Sequence, residues 1–146
     1  MYENEMHISF SALSQNESFA RIVASAFAAQ LNPTMEEMTD IRTAVSEAVT
    51  NAIIHGYANH SKGMVYMDIS VCENIFEVTI RDDGKGIEDV ALAMQPFYTT
   101  LPNLERSGMG FSVMEAFMDG VLVESSPGAG TSVIMRKNIA EAEKNA

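Results

Sequence analysis

The chain has 146 residues, enough for one domain that buries roughly two-thirds of the surface of its unfolded form. Its 20 acidic and 9 basic residues give a net charge of -11, which repels phosphate backbones and argues against direct binding of nucleic acid. The single cysteine excludes an internal disulfide, and no segment has the length of a membrane helix or the pattern of a signal peptide, so we expect a cytoplasmic protein without membrane contacts.

A strand followed by a helix is predicted at the start of the chain. Apolar and polar residues alternate over residues 6–12, which predicts an edge or half-buried strand. Ser14 and Glu17 have the spacing of a capping box, so we expect a helix to begin there and to end at Asn32 and Pro33. Apolar residues recur at helical spacing and predict the buried face of this helix: Phe19, Ile22, Val23, Ala26, Phe27 and Leu31.

A second helix is predicted to begin at another capping box, formed by Thr34 and Glu37. Its apolar stripe recurs every three or four residues and contains Val45, Ala48, Val49, Ala52 and Ile53. Glu47, Asn51 and His55 are spaced four apart, so they lie along a second stripe of the same helix. By themselves these polar residues are typical of a surface or of helix contacts, and we interpret His55 as a hydrogen-bonding group at the helix end.

Four more strands and one more helix are predicted in the second half of the chain. Residues 64–72 and 75–81 form a predicted hairpin. Helical spacing returns over 109–118, and two last strands follow at 121–125 and 131–136. This order of elements predicts an α/β (α+β) two-layer sandwich, with helices on one face of a mainly antiparallel sheet.

A loop of about a dozen residues separates the hairpin from the last helix. It runs from Gln95 to Ser107, and a loop of this length inside a compact domain is usually functional or mobile. There is no repeat and no low-complexity tract. We therefore assign residues 1–137 to a single domain and residues 138–146 to a polar C-terminal tail.

Asp82, Gly84 and Gly86 form the first of three glycine motifs and directly follow a predicted strand. Two glycines spaced by one residue allow a tight turn and let another group approach the backbone closely. The aspartate can accept a hydrogen bond from an exocyclic amine such as that of adenine. Alone, the motif is equally typical of an ordinary turn, because Asp and Gly are common turn residues.

The second glycine motif, GMGF at 108–111, lies at the start of a predicted helix. Free backbone amides and the helix dipole favour a bound phosphate at such a position. The third motif, GAGT at 128–131, is by itself most simply interpreted as a hairpin turn. Neither a Walker P-loop nor a Rossmann glycine motif is present in the sequence.

Taken in order, Glu47 to Asn51 and the three glycine motifs resemble the N, G1 and G2 boxes and the closing Gly-Thr of the Bergerat ATP-binding fold. That superfamily includes DNA gyrase and the histidine kinases. Three stretches, SEAVTNAIIHGY at 46–57, RDDGKGI at 81–87 and ERSGMGF at 105–111, resemble more closely the family of anti-sigma F factors. These are serine-protein kinases of sporulating bacteria that also bind a sigma factor. The resemblance covers nearly the entire chain.

The resemblance implies a site for ATP or ADP with Mg²⁺. Asn51 would hold Mg²⁺, Asp82 would accept from the adenine amine, and Thr131 would support the adenine. Gly108 and Gly110 would bind the phosphates. Further implied nucleotide contacts are Gly84, Gly86, Thr99, Thr100, Arg106, Met109 and Phe111.

The resemblance also implies a catalytic base and a lid. Glu47, one helical turn before Asn51, would orient or deprotonate the attacking serine hydroxyl. The loop from Gln95 to Ser107 would cover ATP, with Arg106 near the phosphate oxygens. Similar sequences tend to read Thr-Thr-Lys in this lid, whereas Leu101 stands in the third position here. This departure bears on the turnover rate more than on nucleotide binding.

Three functions from different classes are compatible with these motifs. The first is a kinase that phosphorylates an anti-anti-sigma factor and binds a sigma factor, sigma F. The second is an anti-sigma binding module whose ATP is only structural. The third, the catalytic domain of a histidine kinase, is disfavoured because no histidine lies on a long helix before the ATP site.

Arg21 is a candidate contact for protein partners. It is the only Lys or Arg in the first 41 residues and lies between Phe19 and Ile22. An arginine of this kind is either merely solvated or an anchor for an acidic patch on a sigma factor or a substrate protein. A homodimer is implied by the resemblance alone.

Overall fold

A computed structural model describes residues 3–57, 62–95 and 110–140 of the chain. Within these residues the protein contains one five-stranded sheet, whose strand order is β1-β2-β3-β5-β4 and whose neighbouring pairs are all antiparallel. The strands are β1 Glu3–Ser11, β2 Met64–Cys72, β3 Ile75–Asp82, β4 Gly120–Ser125 and β5 Thr131–Asn138. The predicted antiparallel sheet, with the first strand at its edge, is confirmed.

The helices pack on one face of the sheet and complete the predicted two-layer fold. They are α1 Gln15–Ala28, α2 Met35–Asn51, α3 Val90–Ala93 and α4 Gly110–Phe117. A 3-10 turn, Ala29–Leu31, follows α1, and a π-helical turn, Ala52–Gly56, continues α2. Among the described residues no helix is long and apolar enough to cross a membrane.

The core lies between α2 and the inward face of the sheet. The predicted apolar stripe of α2 is confirmed, because Val45, Ala48 and Val49 are fully buried there. Alternate residues of β2 and β3 point toward the same core and include Val65, Met67, Ile69, Val71, Phe76, Val78 and Ile80. Because side chains along a strand alternate between faces, the other face of the sheet carries mainly half-buried and polar residues.

The two predicted capping boxes differ in outcome. At α2 the box is confirmed, since Thr34 Oγ1 accepts from the backbone N–H of Glu37 and the Glu37 carboxylate accepts from that of Thr34. At α1 the prediction is wrong. Ser14 has helical backbone angles and makes no side-chain cap, and Glu17 instead pairs with Arg21 one turn later.

The buried face of α1 agrees with the prediction only in part. Val23, Phe27 and Leu31 pack against the core as predicted, whereas Ala26 is exposed, Phe19 is 56% exposed and Ile22 is 60% exposed. The fully buried residues are Ala20, Ala24 and Ala28, whose small side chains let α1 pack closely against α2. A count of apolar residues could not reveal this, because alanine carries little hydrophobic signal.

The packed part of the chain extends past residue 137. Ile139 is only 1% exposed, and its N–H donates to the carbonyl of Asn74 at the β2–β3 turn. The N–H of Ala140 donates to Glu37 at the start of α2. Burial and these bonds hold residues 138–140 against the domain.

Candidate functional site

A cavity of about 370 Å³ lies at the end of the sheet, beneath the helices. Its walls come from α2 and the π-helical turn, from β3 and β5, and from α3 and α4. Six of the residues predicted for the nucleotide site line it: Asn51, Asp82, Gly86, Gly110, Phe111 and Thr131. The fold therefore brings together residues that are far apart in the sequence.

The first residue of α4 lies against the side chain of Asn51. A Cβ atom at Gly110 would be 2.8 Å from Asn51 Nδ2 and 3.1 Å from its Oδ1. Only a glycine lets the backbone come so close. As a result, the positive end of the α4 dipole lies beside an amide side chain, an arrangement that suits a phosphate and its metal ion.

Asp82, the last residue of β3, is a buried carboxyl group in the cavity wall. It is 5% exposed, and its Oδ1 accepts from the N–H of Gly84 at 2.9 Å. Burial raises its pKa from 3.8 to about 6, although the backbone amides of Gly84 and Thr131 lower it. A buried carboxylate with unused acceptor capacity is suited to a ligand that donates hydrogen bonds.

The end of the π-helical turn is joined to the turn after β3. A Cβ at Gly84 would lie 2.1 Å from the carbonyl oxygen of Gly56, and the N–H of Lys85 donates to that oxygen at 3.0 Å. Gly56 in turn makes room for Asp82. Gly56 was not among the predicted site residues, although its place five residues after Asn51 was the available signal.

Tyr57 secures the same turn from the other side. Its hydroxyl accepts from the N–H of Asp83 at 2.7 Å and donates to the carbonyl of Met64 at 2.7 Å. Two backbone segments thus meet on one side chain next to Asp82. Burial raises the pKa of the Tyr57 hydroxyl, so it stays protonated as a donor at neutral pH.

The turn that carries Gly86 is tied to the β4–β5 turn. Gly86 has a φ of 77°, in the left-handed region that favours glycine. The N–H of Gly128 donates to the carbonyl of Lys85 at 2.7 Å, and the N–H of Ile87 donates to Ser125 Oγ at 2.8 Å. The first and third glycine motifs therefore form one connected wall.

Thr131 lies between Asp82 and Ser125 across the sheet. It is the register partner of Asp82 on β3 and of Ser125 on β4. Its Oγ1 is 2.9 Å from Ser125 Oγ. Ser125 was not among the predicted site residues. Its only signal was a polar residue at the end of a predicted strand, just before a glycine-rich turn.

Glu47 lies on α2 one turn before Asn51 and is half-buried. It is not among the residues that line the cavity wall itself. Residues four apart share one side of a helix, so Glu47 and Asn51 keep the predicted common stripe.

Several predicted site residues lie outside the described parts of the chain. These are Thr99, Thr100, Arg106, Gly108 and Met109, together with most of the predicted lid. Their assignment stays a prediction from the sequence. The described residues at the two ends of this segment, Gln95 and Gly110, follow α3 and begin α4.

A complete metal cage is absent from the described residues, which contain no group of three or more His, Cys, Asp or Glu able to hold an ion. Mg²⁺ does not need one, because it usually keeps several waters and binds through one or two protein oxygens and substrate phosphates. The amide oxygen of Asn51 beside the start of α4 suits that mode. The donor set therefore fits Mg²⁺ carried with a nucleotide.

Arg21 does not stand alone on the surface of α1. Its Nε lies 3.3 Å from Glu17 Oε2, an ion pair one helical turn apart on a partly exposed surface. Such exposed pairs contribute little to stability, roughly 0.3–0.5 kcal/mol. Phe19, two residues before it, and Ile22, one residue after it, are the exposed large apolar residues of α1.

The fold and the site define a class of protein. The family described as the histidine kinase-like ATPase domain matches residues 10–137. The catalytic domain of the histidine kinase ThkA shares the fold with a TM-score of 0.57 and 15% sequence identity, over 95% of this chain and 97% of that one. The Bergerat fold expected from the motifs is confirmed.

Curated relatives narrow this class further. The anti-sigma F factor of Halalkalibacterium halodurans is 60% identical over 140 residues, covering 96% of each chain. That of Bacillus subtilis strain 168 is 55% identical over 141 residues, covering 97% of each. That of Clostridium botulinum strain Eklund 17B is 56% identical over 137 residues, covering 94% of this chain and 96% of the relative. The chain belongs to the family of anti-sigma F factors.

Proposed function

We propose that this protein is an ATP-dependent protein-serine kinase that binds and inhibits sigma F and phosphorylates an anti-anti-sigma factor in the cytoplasm. Its family and its ATPase-type fold support this function. The observation that carries it is one cavity containing both a buried carboxylate, Asp82, and a helix start packed on Asn51. The first feature suits a purine amine and the second suits phosphates and Mg²⁺.

Adenine would occupy the part of the cavity next to β3 and β5. Asp82 would accept from the exocyclic amine, and Thr131 would assist it from the neighbouring strand. Ile80 and Val133 also line the cavity and offer an apolar surface for the base. Apolar walls with few well-placed polar groups are typical of sites for small ligands.

The phosphates would lie at the start of α4. The free backbone amides of that helix and its dipole attract negative charge. Gly108, Met109 and Gly110 would bind the phosphates, and the lid would add Thr99, Thr100 and Arg106. Mg²⁺, held by Asn51, would neutralise phosphate charge when bound.

Glu47 would serve the protein substrate. In phosphoryl transfer the serine oxygen forms a bond to the γ-phosphorus, the bond to the ADP oxygen breaks, and the serine hydroxyl loses its proton. A carboxylate one turn from the metal residue is suited to orient the hydroxyl and accept that proton. The half-buried position of Glu47 is compatible with both tasks.

Partner proteins would dock on α1. Phe19 and Ile22 form an exposed apolar pair beside Arg21, and aromatic and arginine residues commonly anchor protein interfaces. We propose that Arg21 leaves Glu17 to pair with an acidic group of the sigma factor or of the anti-anti-sigma factor. We further propose a homodimer, which light scattering of the purified protein would test.

The purified protein should transfer the γ-phosphate of labelled ATP to a serine of the anti-anti-sigma factor in the presence of Mg²⁺. The alternative is a binding module that holds ATP and sigma F without transfer. Labelled protein substrate would support the kinase. Binding of both ATP and sigma F with no transfer over hours would support the module.

A further inference from the structure

Ser125, the last residue of β4, joins three groups through a single hydroxyl. Its Oγ lies 2.8 Å from the backbone N of Ile87, 2.8 Å from the carbonyl oxygen of Gly130 and 2.9 Å from Thr131 Oγ1. The first belongs to the turn after β3, and the other two belong to the start of β5. The proposed function gives Thr131 a role in adenine binding and gives none to Ser125.

Counting protons assigns a direction to each of these bonds. A serine hydroxyl has one proton and two lone pairs. The N–H of Ile87 donates to one lone pair, and the Gly130 carbonyl can only accept, so the Ser125 proton must go to Gly130. The remaining lone pair of Ser125 then accepts the proton of Thr131.

The direction of this last bond determines what Thr131 offers to the cavity. Its only hydroxyl proton points to Ser125, so Thr131 presents lone pairs alone. Asp82, its partner across β3 and β5, is an acceptor as well. Two neighbouring acceptors favour an exocyclic amine, because its two protons can serve both, and they disfavour at the same place a group that has no proton to donate.

We infer that Ser125 is a positioning residue for base selection, which holds the Thr131 hydroxyl as an acceptor and thereby favours a purine that carries a 6-amino group over one that lacks it. This inference rests on the proposed binding of ATP in the cavity. Ser125 itself need not touch the nucleotide, because it acts through the orientation of Thr131.

The test compares ATP with purine riboside triphosphate, which has hydrogen in place of the 6-amino group and keeps the N1 acceptor of adenine. Calorimetry would measure both affinities, with Mg²⁺, for the wild type and for Ser125→Ala. Without Ser125 the Thr131 proton is free to turn toward the amine, so the acceptor that faces the amine is no longer fixed. We expect the preference for ATP over this analogue to fall by about tenfold, the size of one hydrogen bond.

The ratio of affinities separates base selection from a purely structural role. If Ser125 only tethers Ile87, its loss weakens the binding of ATP and of the analogue equally, and an unchanged ratio overturns the inference. Ser125→Thr keeps a hydroxyl and should keep the ratio. Ser132→Ala, a serine on the opposite face of the neighbouring strand, is the matched control and should also keep it.

Thr131→Val provides a second, independent arm. It removes the hydroxyl that Ser125 orients, so it should lower the ratio by itself, and adding Ser125→Ala to it should lower the ratio no further. If Ser125→Ala fails to fold, an unchanged ratio in Thr131→Val still overturns the inference. A wild type that binds neither nucleotide would instead contradict the proposed function.

Discussion

Gly56 and Asp82 are in such close contact that a Cβ at residue 56 would be 2.8 Å from the Asp82 carboxyl group. The end of the π-helical turn therefore covers the carboxyl and removes it from water. This contact helps to explain why the pKa of Asp82 is raised to about 6. Asp82 is thus costly to bury and, in an ATP site, useful as an acceptor.

Replacing Asp82 by alanine should leave a folded protein that has lost most of its ATP affinity. The adenine amine would lose its buried acceptor, at a cost of about 1–3 kcal/mol, which is roughly ten- to a hundredfold in affinity. Calorimetry with Mg·ATP measures the change. Wild-type affinity in this variant would remove Asp82 from the site.

The free energy of unfolding of Asp82→Asn, measured against pH, should reveal the cost of burying the Asp82 charge. Between pH 3.8 and about 6 the folded protein holds a proton that the unfolded chain has released, so the wild type gains stability as pH falls through this window. The asparagine variant lacks this gain. The free energy of unfolding of variant minus wild type should therefore decrease from pH 7 to pH 4, by at most about 3 kcal/mol.

Urea unfolding at pH 4, 5, 6 and 7 gives this difference directly. A difference that is constant across the four values would show that Asp82 titrates alike in the folded and unfolded chain. At pH 7 the same variant should also bind ATP more weakly. The effect of the substitution on stability and its effect on ATP affinity are therefore measured separately.

Glu47→Ala and Asn51→Ala should separate chemistry from binding. Without a base, the first variant should keep Mg·ATP but phosphorylate the anti-anti-sigma factor roughly a hundred- to ten-thousandfold more slowly. The second should lose both ATP binding and transfer, because the Asn51 side chain lies beside the start of α4, where the phosphates and Mg²⁺ would bind. Rapid-quench transfer assays beside calorimetry distinguish the two, and equal transfer rates in wild type and Glu47→Ala would exclude the base.

Gly110→Ala should push α4 away from Asn51. The new Cβ would meet the Asn51 amide at 2.8 to 3.1 Å, so the phosphate end of the site should open and ATP affinity should fall by roughly tenfold or more. Gly120→Ala is the matched control, since a Cβ there meets nothing closer than 4.0 Å. Both variants should fold. Equal ATP affinities in the two variants would contradict the role of this contact.

Arg21→Ala should weaken partner binding by about 1–3 kcal/mol and leave ATP affinity unchanged. The reason is its place beside the exposed Phe19 and Ile22, on α1 and outside the cavity wall. Surface plasmon resonance would measure the affinity of the variant for sigma F and for the anti-anti-sigma factor. Arg42→Ala, an exposed arginine on α2, is the control. Retention of both partners at wild-type strength would show that Arg21 is only a surface residue paired with Glu17.

Local patterns in the sequence determined the five strands of this fold, the helices α1, α2 and α4, and the order of these elements. The alternation in β1, the capping box of Thr34 and Glu37 and the hairpin turn at residues 73–74 each depend on neighbours a few positions away. The motifs around Asn51, Asp82 and Gly110 could be recognised for the same reason, since each is a short run of residue types. All of these signals depend on residues that are close together in the sequence.

Tertiary structure alone decided which surfaces meet. The sequence favoured Phe19 and Ile22 for the buried face of α1, yet the close packing of α1 on α2 selects alanines there. Gly56 belongs to the site only because the turn after β3 packs against it. Ser125 belongs to it only because β4 pairs with β5. Such contacts join residues distant along the chain, and steric fit and hydrogen-bond geometry in three dimensions determine them.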